Sequence, residues 1–285
     1  MDLKSILHKG TDVLKAAHNQ SAATDSRVLL SFVLNCDKTF LFSHDDYMLS
    51  QDEKKKFEEL IRLRAQGMPL QYITGCQEFM SLEFLVNSHV LIPRQETEIL
   101  VDTLINYISN LNKPDYINIL EIGTGSGCIA ISFAYYIKNC FITAVDISKN
   151  AINMAELNAV LNGVNNRINF VLSDLFENIG NNKYDIIVSN PPYISKKEIE
   201  NLHIEVKDYE PILALDGGID GLDFYRTIIG KAPNYLKYNG LLAFEIGYDQ
   251  GEKVACLMEK HFSNIKIIKD LDKNDRIVTG NLQAR

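Results

Sequence analysis

Two short stretches of this chain hold residue types whose spacing could do chemistry. The first is Asn190-Pro191-Pro192-Tyr193, directly after the strand-like run Tyr184 to Ser189. In isolation such a tetrapeptide is a rigid turn. Its composition, however, suits the gripping of a planar NH2 group. An amide or exocyclic amine nitrogen is a poor nucleophile because its lone pair is delocalised into the adjacent π-system. Acceptors aimed at its two N–H groups would orient it and raise its electron density. The Asn190 side-chain oxygen and the Pro191 carbonyl could be those acceptors, with Pro191 and Pro192 limiting backbone freedom. Tyr193 would offer a face on which the planar group stacks.

The second stretch is Glu121-Ile-Gly-Thr-Gly-Ser-Gly127, following the apolar strand candidate Ile117 to Leu120. Gly123, Gly125 and Gly127, interleaved with Thr124 and Ser126, give G-x-G-x-G. The dinucleotide fingerprint is G-x-G-x-x-G with a pyrophosphate at the helix start. The tighter spacing suits a nucleotide-like cofactor without a pyrophosphate. Asp146 closes the next strand candidate, where a carboxylate can accept hydrogen bonds from both ribose hydroxyls. A helix N-cap is its alternative role. Asp174 ends a third strand candidate and could accept from an adenine amino group, with Leu175 or Phe176 against the base. A plain turn aspartate is the competing reading. All of these positions fall at carboxyl ends of strands, where open α/β sheets bind ligands. The six histidines are dispersed, and no metal site is expected.

The elements that must position these residues follow from periodicity. Residues 1 to about 80 read as helical, with Leu3, Ile6, Leu7, Val13 and Leu14 at helical spacing. Ser50-Gln-Asp-Glu53 is a capping box, opening a helix that should stop near Gly67 and Pro69. Lys54-Lys55-Lys56 reads as the solvated face of that helix. Residues 79–92 read as a short hairpin turning at Asn87-Ser88, and a helix should begin near Thr97. Strand candidates then follow at 117–122, 140–146, 168–172, 184–189, 240–246, 265–269 and 276–280. Helices are expected at 127–138, 148–162 and 250–262. This alternation argues for an α/β fold, a mostly parallel sheet covered on both faces. The link Asp270 to Asp275 is too short for a parallel crossover, so the last two strands should be antiparallel. The expected domains are a helical one at 1–78, a hairpin linker at 79–96 and the sheet domain at 97–285.

Composition narrows the function classes. The chain has 285 residues, 46% of them hydrophobic, and a formal net charge of −8. A protein docking on nucleic acid through phosphates normally carries a basic face. Residues 1–85 hold ten Lys and Arg against twelve Asp and Glu, which suits a protein partner better than a duplex. The five cysteines are scattered and odd in number with no C-x-x-C, so buried reduced thiols are expected. Met1 to Gly10 has no uninterrupted apolar h-region and no stretch approaches a membrane span, so a cytoplasmic compartment is expected.

From about residue 97 to the end, the glycine loop, the strand-end acids and the Asn-Pro-Pro-Tyr loop resemble a class I S-adenosylmethionine-dependent methyltransferase. The resemblance implies a Rossmann-like, seven-stranded, mostly parallel sheet with an antiparallel last strand, preceded by a small helical domain. It implies S-adenosyl-L-methionine as cofactor, with Glu121, Gly123, Thr124, Gly125, Ser126, Gly127, Asp146, Asp174, Leu175 and Asn190 around it. Glu121 stands where aspartate is commoner. It implies catalytic roles for Asn190, Pro191 and Tyr193, and an acceptor pocket made with Pro192.

Several further motifs in order, Arg64-Ala-Gln-Gly-Met-Pro-Leu-Gln-Tyr-Ile-Thr-Gly75, Glu78-Phe79, Val90-Leu-Ile-Pro-Arg94, Glu96-Thr97-Glu98, Ser189 to Ile194, Tyr209-Glu-Pro211 and Leu215 to Leu222, are similar to the release factor glutamine methyltransferases (the HemK/PrmC family). Gln95 replaces that family's usual proline, and Met80-Ser81 a more typical aromatic-glycine pair. This resemblance implies a helical domain that recognises class-1 peptide chain release factors. It also implies methylation of N5 of the glutamine in their Gly-Gly-Gln loop. Neither direct nucleic-acid nor membrane binding is expected, and a monomer is. The rival enzyme reading, a DNA adenine-N6 or RNA guanine-N2 methyltransferase, would need a basic, aromatic-bearing recognition domain. A non-catalytic interaction module is the third reading, and the intact acceptor loop argues against it.

Overall fold

The structure is a computed structural model that describes residues 1–111 and 116–283. The chain divides into two units, Met1–Cys76 with His203–Tyr209, and Gln77–Leu202 with Glu210 onward. The helical unit is therefore not the single continuous stretch that helical periodicity marks out.

In the helical unit, α1 (Leu3–Ala16), α2 (Ala22–Leu34), α3 (Lys38–Ser43), α4 (Gln51–Ala65) and α5 (Leu70–Thr74) begin and end on local signals. Asp2 caps α1 by accepting from the Ser5 amide, and both bonds of the Ser50–Glu53 capping box are made at α4. The core gathers Leu3, Ile6 and Leu14 with Leu29, Leu30, Phe57 and Ile61. Gly10 lets α1 and α4 approach closely, since a Cβ there would lie 2.8 Å from the Phe57 ring. Arg64, 8% exposed, donates to Asp25 at 2.7 Å, to Glu205 at 2.8 Å and to the Met68 carbonyl at 3.0 Å. Tyr209 donates to the Gln66 carbonyl at 3.1 Å. A buried guanidinium is tolerated when its partners are this complete, so Arg64 and Glu205 tie the returning segment into this unit.

The other unit opens with a hairpin, β1 (Cys76–Phe79) and β2 (Leu82–Leu85), so the turn falls at Met80-Ser81. Asn87-Ser88 forms a separate turn closed by Val90 N donating to Asn87 O. The expected hairpin turn is corrected accordingly. Both Met80 (φ +51) and Ser81 (φ +57) are left-handed, which the two-residue hairpin turn demands and side chains with a Cβ resist. Glu98 accepts from the Met80 amide and Tyr136 donates to its carbonyl, each at 2.6 Å, holding the turn in place. Replacing Ser81 with glycine should stabilise the protein by about 1 kcal/mol. A denaturant midpoint unchanged or lowered in Ser81→Gly would refute this account of the turn.

The sheet unit continues through α6 (Gln95–Ser109), β3 (Ile117–Ile122), α7 (Cys128–Tyr136), β4 (Cys140–Asp146), α8 (Lys149–Leu161), β5 (Ile168–Leu172) and β6 (Tyr184–Ser189). Two short helices follow, α9 (Lys196–Ile199) and α10 (Ile204–Lys207), the latter in the returning segment. Then come α11 (Asp223–Lys231), β7 (Leu236–Glu245), α12 (Gly251–Met258), β8 (Phe262–Lys269) and β9 (Asp275–Leu282). The sheet order is β5-β4-β3-β6-β7-β9-β8. Strands β3 to β7 pair in parallel, and β9 runs antiparallel between β7 and β8.

Strands β3 and β6 are buried almost end to end, as expected where both faces of a parallel sheet are covered. One face packs Ile119, Ile142 and Ile186 with Leu100, Leu104 and Phe133. The other packs Leu120, Ile187 and Phe244 with Tyr225, Ile228 and Val254. All five cysteines are free, and Cys128 and Cys140 are buried as expected, but Cys256 is exposed. Among the described residues no helix is long and apolar enough to cross a membrane.

Candidate active site

Register brings the site residues to one edge. Glu121 lies opposite Val188 and Ala144, Ile122 opposite Ser189 and Val145, and Ser189 opposite Phe244. Asp146 and Glu245, which end β4 and β7, and Asn190, which follows β6, therefore share the carboxyl edge with Glu121 and the glycine loop. This is the edge at which open α/β sheets bind ligands. The Ser189 hydroxyl donates to the Ile122 carbonyl at 2.7 Å, stitching the start of the Asn-Pro-Pro-Tyr loop to the start of the glycine loop.

The three glycines of the loop do different work. Gly123 (φ +76) and Gly125 (φ +56) adopt the left-handed conformation, and a Cβ on either would meet nothing within 4 Å. Their backbone thus faces open space, as close approach of a ligand requires. Gly127 (φ +84) is crowded, since a Cβ would lie 2.9 Å from Ile131 and 3.0 Å from Ala155. It lets α7 pack on α8. Thr124 is buried and donates to Glu121 Oε2 at 2.7 Å. The buried Ser126 offers its carbonyl to the Asn158 amide at 2.9 Å, and Asn158 also bonds both backbone groups of Leu85. The hairpin thereby braces the loop.

Glu121 is 1% exposed; its Oε2 also accepts from the Ala130 amide at 3.2 Å. Its Oε1 is buried with no partner among the described residues. Burial drives the carboxyl up to about 8, despite the opposing hydrogen bonds from Thr124 and Ala130. Asp146 accepts from Gly125 N at 2.9 Å and from Ser148 N at 2.8 Å. Ser148 itself caps α8, so Asp146 is not the N-cap. Desolvation raises Asp146 too, against the pull of its backbone donors. Asp174 stands exposed after β5, and Leu175 is half-buried in a left-handed conformation (φ +48).

The Asn-Pro-Pro-Tyr loop is clamped from behind. Ile194 N donates to Leu215 O at 3.0 Å and Gly217 N to Ile194 O at 2.8 Å. A Cβ on Gly217 would press on the Pro192 and Tyr193 backbone at 2.8 Å, which explains the glycine at that position. Gln250 donates to the Tyr193 and Gly221 carbonyls and accepts from Gly247 N. Pro191 is buried, while Asn190, Pro192 and Tyr193 are half-buried. Burial, and next the charge of Glu245, push the Tyr193 hydroxyl up to about 12, so it remains a neutral phenol.

Sequence reasoning gave no site role to Gln250, Thr97 or Glu245. Thr97, 2% exposed, donates to Glu245 Oε2 at 2.6 Å and accepts from Asn190 Nδ2 at 3.2 Å. Glu245 is 1% exposed, and burial raises its carboxyl to about 7. Arg94 reaches both oxygens of the buried Glu210 at 2.6 Å. These two residues pin the segment before α6 to the one before Pro211.

A glycine loop, strand-end carboxylates and an Asn-Pro-Pro-Tyr loop on one edge of a 5-4-3-6-7-9-8 sheet define a class I methyltransferase. Residues 5–75 match the PrmC N-terminal domain and residues 97–206 the methyltransferase small domain. A release factor glutamine methyltransferase of Clostridium acetobutylicum is 41% identical over 98% of this chain and 98% of its own. One from Fusobacterium nucleatum is 42% identical over 96% and 77%. This chain belongs to the release factor glutamine methyltransferase family. It also aligns with 57% of a Rickettsia felis bifunctional methyltransferase, at 38% identity over 97% of this chain. Among solved structures, a T. thermophilus 16S rRNA N2 methyltransferase has a TM-score of 0.51 at 14% identity, covering 73% of this chain and 50% of its own. At that identity the likeness speaks for the fold alone.

Proposed function

We propose that this chain transfers the methyl group of S-adenosyl-L-methionine to N5 of the glutamine in the Gly-Gly-Gln loop of class-1 peptide chain release factors. The observation that carries the reading is the 41% identity running through both units to the release factor enzyme of Clostridium acetobutylicum. An acceptor loop braced for an amide supports it. The helical unit would recognise the protein substrate, and its lack of a basic excess argues against a nucleobase target.

The residues present fit the cofactor. The orphaned Oε1 of Glu121 calls for a donor such as an ammonium group, and the open face over Gly123 and Gly125 leaves room for a ligand against the backbone. Asp146 would hold the ribose hydroxyls, with Asp174 and Leu175 toward the base. When bound, the sulfonium supplies an activated methyl group. The protein's part is then largely alignment. Asn190 Oδ1 and the Pro191 carbonyl would accept the two N–H groups of the glutamine amide, and Tyr193 would cover its plane. The glutamine nitrogen so held would take the methyl group from the sulfonium and shed one proton.

Tritiated methyl transfer to purified release factor, glutamine peptide, tRNA and DNA, side by side, tests the substrate. Label on the release factor, lost when the Gly-Gly-Gln glutamine is changed, is the expected result. Label on nucleic acid alone would overturn it. Asp146→Ala should weaken cofactor binding by about 1.5–3 kcal/mol, the scale of hydrogen bonds to a charged group. Unchanged affinity by calorimetry in a folded variant would refute the ribose assignment.

A further inference from the structure

Asn190 can act only if its side-chain oxygen, and not its NH2, faces the acceptor nitrogen. An asparagine amide is nearly symmetric in shape, so shape alone does not choose. The choice is made by what lies behind it. Asn190 Nδ2 donates to Thr97 Oγ1 at 3.2 Å, and the Thr97 hydroxyl donates to Glu245 Oε2 at 2.6 Å. Thr97 and Glu245 are 2% and 1% exposed, so water is not a competing partner.

An ionised carboxylate only accepts. It therefore takes the Thr97 proton, leaves Thr97 Oγ1 as an acceptor toward Asn190, and obliges Asn190 to donate backward. That turns Oδ1 toward the acceptor pocket. We infer that Glu245 and Thr97 are positioning residues that set the hydrogen-bond polarity of the acceptor loop, presenting Asn190 to the substrate as an acceptor. The inference rests on the amide-methylating role proposed above for Asn190.

A protonated Glu245 could donate to Thr97 instead. Thr97 would then be free to donate to Asn190 Oδ1, and the amide could reverse. Burial raises Glu245 to about 7, so both charge states are within reach near neutral pH. The charged and titratable groups acting on it come from every side: Glu96 on α6, Cys128 on α7, Tyr193 on the acceptor loop, Tyr225 on α11 and Arg276 on β9. Burial holds Cys128 at about 12 and Tyr193 at about 12, and raises Tyr225 well above its ordinary value. Those three do not change charge near neutrality, and Arg276 is raised further by Asp270, Tyr193 and Glu245. Glu245 is thus the carboxyl of this cluster that burial brings toward neutral pH, and comparison with Glu245→Gln assigns any transition seen there.

Two measurements on the full chain test this. In single turnover with release factor and saturating cofactor, the wild-type rate should rise with pH through about 7, because the ionised carboxylate is the productive one. Glu245→Gln, able to donate as well as accept, should lose at least about tenfold in rate and show no pH step, with cofactor affinity by calorimetry preserved. Thr97→Val, which leaves Glu245 its direct hydrogen bond with the Asn190 side chain, should be slowed less than Glu245→Gln, and Thr97→Ser, which restores the hydroxyl, should recover most of that loss. A purely structural role for Glu245 would not predict a flattened pH profile or rescue by serine. Wild-type rate and pH profile in Glu245→Gln would overturn the inference. The second measurement needs no substrate: the side-chain NH2 pair of Asn190 in a 15N-labelled protein, assigned by its loss in Asn190→Ala. It should titrate near pH 7 in the wild type and not in Glu245→Gln. Absence of that titration in the wild type overturns the inference. Titration without methylation of release factor would instead sink the substrate reading and leave the polarity relay standing.

Discussion

Asn190→Ala should lower turnover on release factor by roughly a hundredfold or more, the scale on which a misplaced reacting group costs rate. The reason lies in what the substitution removes. The Pro191 carbonyl remains, held by a proline backbone, but it would orient only one of the two N–H groups. A glutamine amide tethered by one bond would swing about it and meet the methyl group in line only occasionally. The fold should survive, because the loop is secured by other contacts. Ile194 is bonded to Leu215 and Gly217, Gln250 holds the Tyr193 carbonyl, and Ser189 is tied to Ile122. Cofactor affinity should fall far less than turnover. Turnover near wild type at saturating cofactor, in a variant with the wild-type melting temperature, would remove Asn190 from the mechanism.

What could be read from the sequence, and what could not, follows from the range of the interactions involved. The glycine spacing and the apolar runs are local, and β3, β4, β5 and β6 begin and end where those runs do. The Ser50–Glu53 box needs only three residues of context. The hairpin turn escaped because Met80-Ser81 carries none of the glycine or asparagine that such turns favour, whereas Asn87-Ser88 does resemble a turn. The turn is held from outside by Glu98 and Tyr136, partners 18 and 56 residues away. Glu245 ends the apolar run Leu241 to Phe244, where an acid usually marks the edge of solvent. Its burial depends on partners distant in sequence, such as Thr97, 148 residues earlier. The placement of His203–Tyr209 was equally hidden. Its four-residue helix has too little periodicity to show a face, and its anchor is an ion pair to Arg64, 141 residues earlier.

Glu121→Gln should change both cofactor affinity and the pH dependence of stability, and the second effect has an unusual sign. In the unfolded chain a glutamate titrates near 4.5, whereas burial moves Glu121 to about 8 in the fold. The native state therefore binds the extra proton between those values, and stability falls as pH rises from about 4.5 to about 8, levelling off above. Glu245, raised to about 7, and Asp146, also raised, act in the same direction. At about 1.4 kcal/mol per pKa unit, the Glu121 contribution is on the order of a few kcal/mol at alkaline pH. Removing the ionisable group should make the cofactor-free variant more stable than the wild type at pH 8.5. That advantage should shrink toward pH 5, where the wild-type carboxyl is already neutral. The same substitution puts an NH2 in place of the unpartnered Oε1, a donor facing a donor once an ammonium group arrives. Affinity for S-adenosyl-L-methionine should drop at least about tenfold, the loss of one charge-assisted hydrogen bond. The wild type should bind more tightly as pH rises toward 8, because a cationic ligand favours the ionised carboxylate. Melting curves at pH 5 and 8.5 with and without cofactor, together with calorimetry in buffers of different ionisation enthalpy, would separate these effects. If Glu121→Gln binds the cofactor as the wild type does, Glu121 is a structural carboxyl and not a ligand. If its melting temperature tracks the wild type at both pH values, the carboxyl is not strained by burial, and the link between cofactor binding and a released proton is lost with it.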